Sequence, residues 1–131
     1  MFLDANIFIH AYHQAGRPAE PCKRMLSKVA SAQMNASTSV LVLNEVLYFF
    51  QNNADAGKAE RIFLNILSYK GLDVLAVDRK TLLFVPEYTA QGLDAADAYH
   101  AAVMRSNGLD VICTYDRGFD KVKSLRRQEP K

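Results

Sequence analysis

The stretch Leu109-Asp110-Val111-Ile112-Cys113-Thr114-Tyr115-Asp116 decides how this chain folds. Asn107-Gly108 stops the segment before it, and the apolar run Val111-Ile112-Cys113, rich in β-branched neighbours, reads as a buried strand over Leu109 to Thr114. Asp116 lies just past the end of that strand. Upstream, Ala95 to Arg105 is dominated by alanine and other strong helix formers, with Asp94 as the start signal. A helix delivering the chain to a short, fully apolar strand is the repeating step of a parallel sheet.

The same step recurs on the way back to the N-terminus. Phe2-Leu3 forms a very short strand ending at Asp4, after which Ala5 to His10 is apolar at helical spacing. Gly16, Pro18 and Pro21 mark a break, and Cys22, Met25, Leu26 and Val29 then line one helix face ending near Gln33. Asn35 to Thr38 reads as a short strand or turn. Thr38 or Ser39 caps a helix through Val40, Leu43, Leu47 and Phe50, which carries Glu45. Asp55 is expected to cap the next helix, whose stripe is Ala59, Ile62, Phe63, Ile66 and Leu67, with Gly71 at its end. Leu72 to Val77 is a strand, and Asp78 caps a helix from Arg79 to about Val85 that Pro86 interrupts before Gly92. Val122 to Leu125 is expected as an edge strand within a 121–131 segment that closes on a polar tail. Strands alternating with longer helices imply parallel strands joined by right-handed crossovers. The expected fold class is therefore α/β, a three-layer α/β/α sandwich around a central parallel sheet, in one domain spanning 1–131.

Composition narrows the function classes. Half of the 131 residues are hydrophobic and 23% are charged, which suits an ordinary globular core and excludes a disordered or fibrous chain. A net charge of +2 is too small to argue for nucleic acid by itself, so the distribution of cations matters more than their sum. Cys22 and Cys113 lack metal-ligand spacing, and a reducing, cytoplasmic setting is the expectation. No stretch approaches eighteen uninterrupted apolar residues, and Met1-Phe2-Leu3-Asp4 opens without a basic and apolar leader, so neither membrane insertion nor export is expected.

The chemistry lies in the carboxylates. Ligand crevices in open α/β sheets form beyond the carboxyl ends of strands, and Asp4 and Asp116 both stand at such ends. If their strands are neighbours, the two acids meet, and adjacent helices can supply Glu45 and Asp97. Four carboxylates gathered without a cation repel one another and destabilise the fold, so the arrangement makes sense as a hard-metal site for Mg²⁺ or Mn²⁺. Such an ion activates water against a phosphodiester, and no histidine or serine nucleophile is needed. Asp94 and Asp97 lie one helical turn apart, and both are positioned to face the crevice; Asp94 and Asp120 are supporting candidates.

Four stretches carry a family resemblance. Leu3-Asp4-Ala5-Asn6-Ile7 resembles the first motif of PIN domains, Asn44-Glu45 the second, Asp97-Ala98-Tyr99-His100-Ala101-Ala102 the third and Thr114-Tyr115-Asp116-Arg117-Gly118-Phe119-Asp120 the fourth. No one motif is specific, but their order is, and it spans essentially the whole chain. The resemblance implies a divalent-metal endoribonuclease with Asp4, Glu45, Asp97 and Asp116 as metal ligands, and Asn6 and Thr114 supporting them by hydrogen bonds. The chain's size further resembles the VapC-type toxins of VapBC toxin–antitoxin pairs, which implies RNA as substrate, an antitoxin protein as partner and a homodimer. Two rivals remain: another metal-dependent phosphodiesterase or DNA nuclease, and a PIN-like scaffold that binds RNA or protein without cleaving.

Each residue also has a plainer reading. Asp4, Asp94 and Asp116 can be helix caps, and Glu45 a solvated helix residue. His10 and His13 have no companions at ligand spacing, and His100 falls in an alanine-rich packed helix. Tyr48, Phe49, Phe50 and Phe63 read as core or dimer-interface aromatics. Arg117, Lys121, Lys123 and Arg126, with Arg127 and Lys131 nearby, are candidates for holding an RNA backbone, and Arg17, Lys23, Arg24 and Arg105 are further ones. Periodicity does not say which of these share a face with the acids.

Overall fold

A computed structural model describes residues 1–13, 16 and 18–131 of the chain; Arg17 lies outside the described residues. Five strands form one parallel sheet: β1 (Phe2–Leu3), β2 (Ala36–Ser39), β3 (Leu72–Leu75), β4 (Val111–Cys113) and β5 (Arg126–Gln128), in the spatial order β3-β2-β1-β4-β5. Between them run α1 (Ala5–His13), α2 (Ala19–Ala30), α3 (Val40–Asn53), α4 (Lys58–Leu67), α5 (Arg79–Leu82), α6 (Val85–Ala90) and α7 (Ala95–Ser106). A 3-10 helix over Arg117–Lys121 links β4 to β5. This is the expected α/β/α sandwich.

The central strands are apolar because both of their faces are covered. Phe2, Leu3, Ile112 and Cys113 are completely buried. One cluster joins them to Ile7 and Phe8 of α1, Val29 of α2, Val46 of α3 and Ile66 of α4, and to Ala98, Ala101 and Ala102 of α7. Helices α1 to α4 pack among themselves and α5 to α7 among themselves, a layer on each side of the sheet. Right-handed crossovers produce this division when the connections first run outward from β1 through β2 to β3 and then return across it to β4. The reversal puts a topological switch point between β1 and β4, the place where an open parallel sheet leaves a crevice at its carboxyl edge.

Local chemistry explains most element ends. Ser39 caps α3 by accepting a hydrogen bond from Val42 N at 3.2 Å, while Thr38 instead donates to Leu3 O at 2.9 Å and ties β2 to β1. Asp78 caps α5 and Asp94 caps α7, as expected. Pro86 opens α6 rather than ending a helix, since the first turn has no use for the proton it lacks. Other expectations are corrected. Gly57, with a positive φ of 78°, and not Asp55, precedes α4. α2 ends at Ala30, before Gln33. α4 ends at Leu67, and Gly71 has a different purpose: a Cβ there would lie 2.3 Å from Met34 O and 2.7 Å from Val29 O, so only glycine lets this backbone dock on the end of α2.

The edge strand falls at Arg126–Gln128 and not at Val122 to Leu125. Val122 is buried by a turn, its N–H donating to Phe119 O at 3.1 Å, and Leu125 N–H in turn donates to Val122 O at 3.1 Å. Apolar residues buried by consecutive turns resemble a strand in sequence but make no ladder. Both cysteines are buried and free, and no helix among the described residues is long and apolar enough to cross a membrane.

Candidate metal centre

β1 and β4 are hydrogen-bonded neighbours, with Leu3 opposite Cys113, so the residues that follow them emerge side by side. Asp4 N–H extends the ladder by one rung, donating to Cys113 O at 3.2 Å. The Asp4 carboxylate is nearly buried and accepts three hydrogen bonds. Ala5 N–H reaches Oδ1 at 2.7 Å, while Asn6 Nδ2 and the Thr114 hydroxyl reach Oδ2 at 2.9 and 2.6 Å. Asn6 Nδ2 also lies 2.8 Å from Thr114 Oγ1, and Asn6 Oδ1 accepts from Tyr115 N at 3.3 Å. Thr114 Oγ1 accepts from Asp116 N at 3.0 Å. Asn6 and Thr114 thus stitch Asp4 to the loop that bears Asp116. Even so, burial outweighs these bonds and the pull of His100, and Asp4 titrates above the ordinary carboxylate range.

Glu45 arrives from α3, one and a half turns beyond its Ser39 cap. Its Oε1 lies 3.0 Å from His100 Nε2, and the same nitrogen is 3.9 Å from Asp4 Oδ1. Asp4, Glu45 and His100 each offer a ligand atom within 4.8 Å of the others. His100 is 1% exposed and packs a tilted ring against Phe2. Burial lowers its basicity, but Glu45, Asp4 and Asp97 together raise it above the ordinary value.

Asp97 sits in the first turn of α7, its backbone N–H held by Asp94 Oδ1 at 2.9 Å. Desolvation first, then the negative charges of Asp94, Asp116 and Asp4, push its carboxyl up to about 7. Asp116 caps the 3-10 helix, accepting from Gly118 N at 2.7 Å. Gly118 faces both acids: a Cβ on it would stand 3.0 Å from Asp116 Oδ1 and 3.8 Å from Asp97 Oδ2. The missing side chain leaves room beside the two carboxylates.

The crevice at the switch point therefore gathers Asp4, Glu45, Asp97 and Asp116, all of them oxygen donors suited to a hard cation. Desolvation and repulsion from its acidic neighbours hold Asp97 raised, and a divalent ion would relieve both. Asp94 is spent as a helix cap beside them. Asp120 is not brought in: it pairs with Arg127 Nε at 2.9 Å on the exposed side of the 3-10 helix.

The basic candidates scatter. Arg117 is exposed next to Asp116, and Lys121 Nζ donates to Gly92 O at 3.3 Å behind α6. Lys123 is exposed in the turns before β5. Arg126 pairs with Val111 at the opening of its strand, three residues back from the acid edge, or roughly 10 Å at strand spacing. Arg127 is consumed by Asp120, Glu129 and the carbonyl of Thr114. Arg105 pairs with Glu87 and covers the Phe84 ring at the far end of α7. Lys23 pairs with Glu20, and Arg24 lines an open pocket with Met1 and Lys131, away from the acids.

His100 is the residue that sequence reasoning missed. It was expected in a packed helix, and it is there, but its ring edge belongs to the acid cluster. The signal was its spacing: three residues after Asp97, a helical position shares the same face.

The model for the PIN domain matches residues 1–125. A search of curated proteins finds no match. Among solved structures, the chain is similar to VapBC2 from Rickettsia felis bound to a DNA fragment from its promoter, at 18% identity and TM-score 0.70, covering 99% of this chain and 98% of that one. It is similar to VapC20 of Mycobacterium tuberculosis, a toxin that cleaves the sarcin–ricin loop, at 18% identity and TM-score 0.72 over 93% and 94% of the two chains. It also resembles VapBC-1 from nontypeable Haemophilus influenzae, at 19% identity and TM-score 0.69 over 98% and 96%. These likenesses are likenesses of fold. With the family model spanning nearly all of its length, the chain belongs to the PIN domain family.

Proposed function

We propose that this chain is a divalent-metal-dependent endoribonuclease, acting as one domain and as the toxin of a toxin–antitoxin pair. The observation that carries the reading is the convergence of Asp4, Glu45, Asp97 and Asp116 at the switch point, with Asp97 pushed up to about 7 by burial and by its acidic neighbours. Bound Mg²⁺ or Mn²⁺ would make water acidic enough to attack a phosphodiester and would offset charge on the phosphoryl oxygens.

The protein's own part is placement. Asn6 and Thr114 hold Asp4 in one orientation before any ligand arrives, and Gly118 keeps the approach to Asp97 and Asp116 open. Arg117, exposed beside Asp116, is the cation best placed to hold a phosphate of the RNA backbone; Lys121 and Lys123 extend that charge along the next turns, and Arg126 serves only a strand reaching past the sheet edge. RNA, in preference to DNA, is supported by the likeness to VapC20, a toxin that cleaves the sarcin–ricin loop.

An antitoxin partner is supported by the complexes among the fold neighbours. Its peptide would restrain the enzyme by covering the acids or inserting an arginine among them. The exposed Tyr48, Leu64 and Leu67 of α3 and α4, and Leu83 after α5, supply apolar surface for that partner and for a homodimer. A cytoplasmic location accords with two buried free thiols.

The test is cleavage of total cellular RNA by the purified protein with Mn²⁺ or Mg²⁺, beside Asp97→Asn, a chelator control and a single-stranded DNA competitor. Cleavage lost in the variant and with chelator, and unaffected by DNA, supports the reading. Preferential cutting of DNA moves the assignment to a DNA nuclease. Absence of both cutting and metal binding moves it to a binding scaffold.

A further inference from the structure

His100 has two ring nitrogens in different circumstances. Nε2 is 3.0 Å from Glu45 Oε1. Nδ1 is buried and has no hydrogen-bond partner among the described residues. A neutral imidazole carries one proton, and the surroundings decide where it goes. With the proton on Nδ1, a buried N–H would have no acceptor, and the bare Nε2 lone pair would point at a carboxylate oxygen at hydrogen-bonding distance. Both are costly. With the proton on Nε2, the ring donates to Glu45 and only a bare lone pair is left unmet. A second proton on Nδ1 would leave the Nε2–H donor in place, so the role of the ring does not depend on its charge.

We infer that His100 is a positioning residue for Glu45: its Nε2–H holds one oxygen of the Glu45 carboxylate and so orients that carboxylate for a cation, and the imidazole is not itself a ligand. The inference rests on the metal-site reading above and adds to it a division of labour within the cluster of Asp4, Glu45 and His100. Proximity alone would make His100 a ligand equal to the two acids. The orphaned Nδ1 argues otherwise, because the Nε2 lone pair a metal would need is occupied by the proton.

The arrangement also explains why a histidine stands in an alanine-rich helix. α7 approaches the sheet through Ala98, Ala101 and Ala102, all fully buried, and His100 fills the place against Phe2 while reaching across to α3. Asp4 is held by Ala5, Asn6 and Thr114, and Asp116 by Gly118, whereas among the described residues His100 is the one hydrogen-bond partner of the Glu45 carboxylate. A half-exposed glutamate with three rotatable bonds loses its bias toward one rotamer without that contact.

The experiment pairs a spectroscopic signature with a rescue. ¹⁵N-labelled wild-type protein, metal-free and then saturated with Mg²⁺, is examined by long-range imidazole ¹H–¹⁵N correlation. His100 is expected to keep its Nε2–H in both states. Loss of that proton on adding metal, with Nε2 becoming a ligand, overturns the inference. In parallel, Mn²⁺ binding is measured for wild type, His100→Leu and His100→Gln, whose amide nitrogen reproduces the Nε2 donor. His100→Leu is expected to bind about 10- to 100-fold more weakly, as when a partner that orients a metal ligand is removed, and His100→Gln to recover most of that loss. A folded His100→Leu that binds Mn²⁺ like wild type removes the positioning role and leaves the metal-site reading standing. Wild-type protein that binds no Mn²⁺ removes the metal-site reading itself. If His100→Leu does not fold, the proton signature and His100→Gln still decide.

Discussion

The two halves of the acid cluster are built on opposite principles. On the β1 side, Asp4 is buried and bound by three hydrogen bonds, with Asn6 and Thr114 bridging it to the next strand. On the α7 side, Asp97 is half-buried and its carboxylate has no hydrogen-bond partner among the described residues, while Asp116 is exposed and accepts only from Gly118 N; the two are otherwise coupled by repulsion. One half is organised by the protein and would stand without an ion. The other half is under electrostatic stress that the proposed ion would relieve. Preorganising every ligand would cost more fold stability than four clustered charges allow; preorganising half gives a cation a fixed anchor and leaves the rest to close around it.

The largest effect should come from breaking the open half. Asp97→Asn is expected to reduce RNA cleavage roughly a hundred- to a thousandfold, the scale for losing one group that stabilises the transition state. The same variant should melt at a higher temperature than wild type in chelator at pH 8, because it removes a destabilising charge. An Asp97→Asn protein that is both inactive and less stable would show that the two halves do not differ as described.

Next in size is the closed half. Thr114→Val keeps the shape but removes the hydroxyl from Asp4 Oδ2 and from Asp116 N. Leaving a buried carboxylate short of a donor should cost about 1–3 kcal/mol of unfolding free energy, read by denaturant titration in chelator. Stability within error of wild type would mean that water replaces the hydroxyl and the site is not preorganised.

A pH series separates the halves by sign. Asp97 is raised to about 7 in the fold from its ordinary value of 3.8, so the folded state holds more protons than the unfolded state between those values. Metal-free protein should therefore lose stability as pH climbs from about 4 through about 7. Asp4 and His100, both raised, act in the same direction. Melting temperatures in chelator should fall across that range, fall less in Asp97→Asn, and level out with Mn²⁺. A rise with pH would contradict the charge assignment.

The smallest effect tests the room between the acids. Gly118 does not need a positive φ, so Gly118→Ala is tolerated by the backbone, but its methyl would crowd Asp116 Oδ1. Mn²⁺ affinity should weaken severalfold with little change in melting in chelator. An unchanged affinity would show that Asp116 yields freely.

Much of this was legible beforehand, for physical reasons that can be named. Asp116 could be read because it follows the clear apolar run Val111-Ile112-Cys113, whereas Asp4 follows only two apolar residues and, like Glu45 and Asp97, was singled out by neighbours that match ordered motifs. His100 stayed hidden because burial among alanines is the ordinary fate of such a helix position, and only the distance to Glu45 across two helices distinguishes it. Asp120 was a supporting candidate in sequence, but Arg127, seven residues on in β5, claims it, a pairing that no sequence pattern specifies. The clustered cations near the C-terminus spread apart for the same reason: β5 runs parallel to β4, so Arg126 is carried to the start of the strand while Arg127 turns back on Thr114.

The shortness of β1 has a consequence for synthesis. Its two residues sit in the middle of the sheet, and the hydroxyl that fixes Asp4 comes from a residue 110 positions later. At about 5–20 residues per second, the first acid waits several seconds on the ribosome before its neighbour exists. A nascent chain stopped before residue 111 has at most three of the four acids, no β4 beside β1 and no Thr114 hydroxyl for Asp4. The crevice is thus completed late in translation, and products released before residue 116 lack one of its acids.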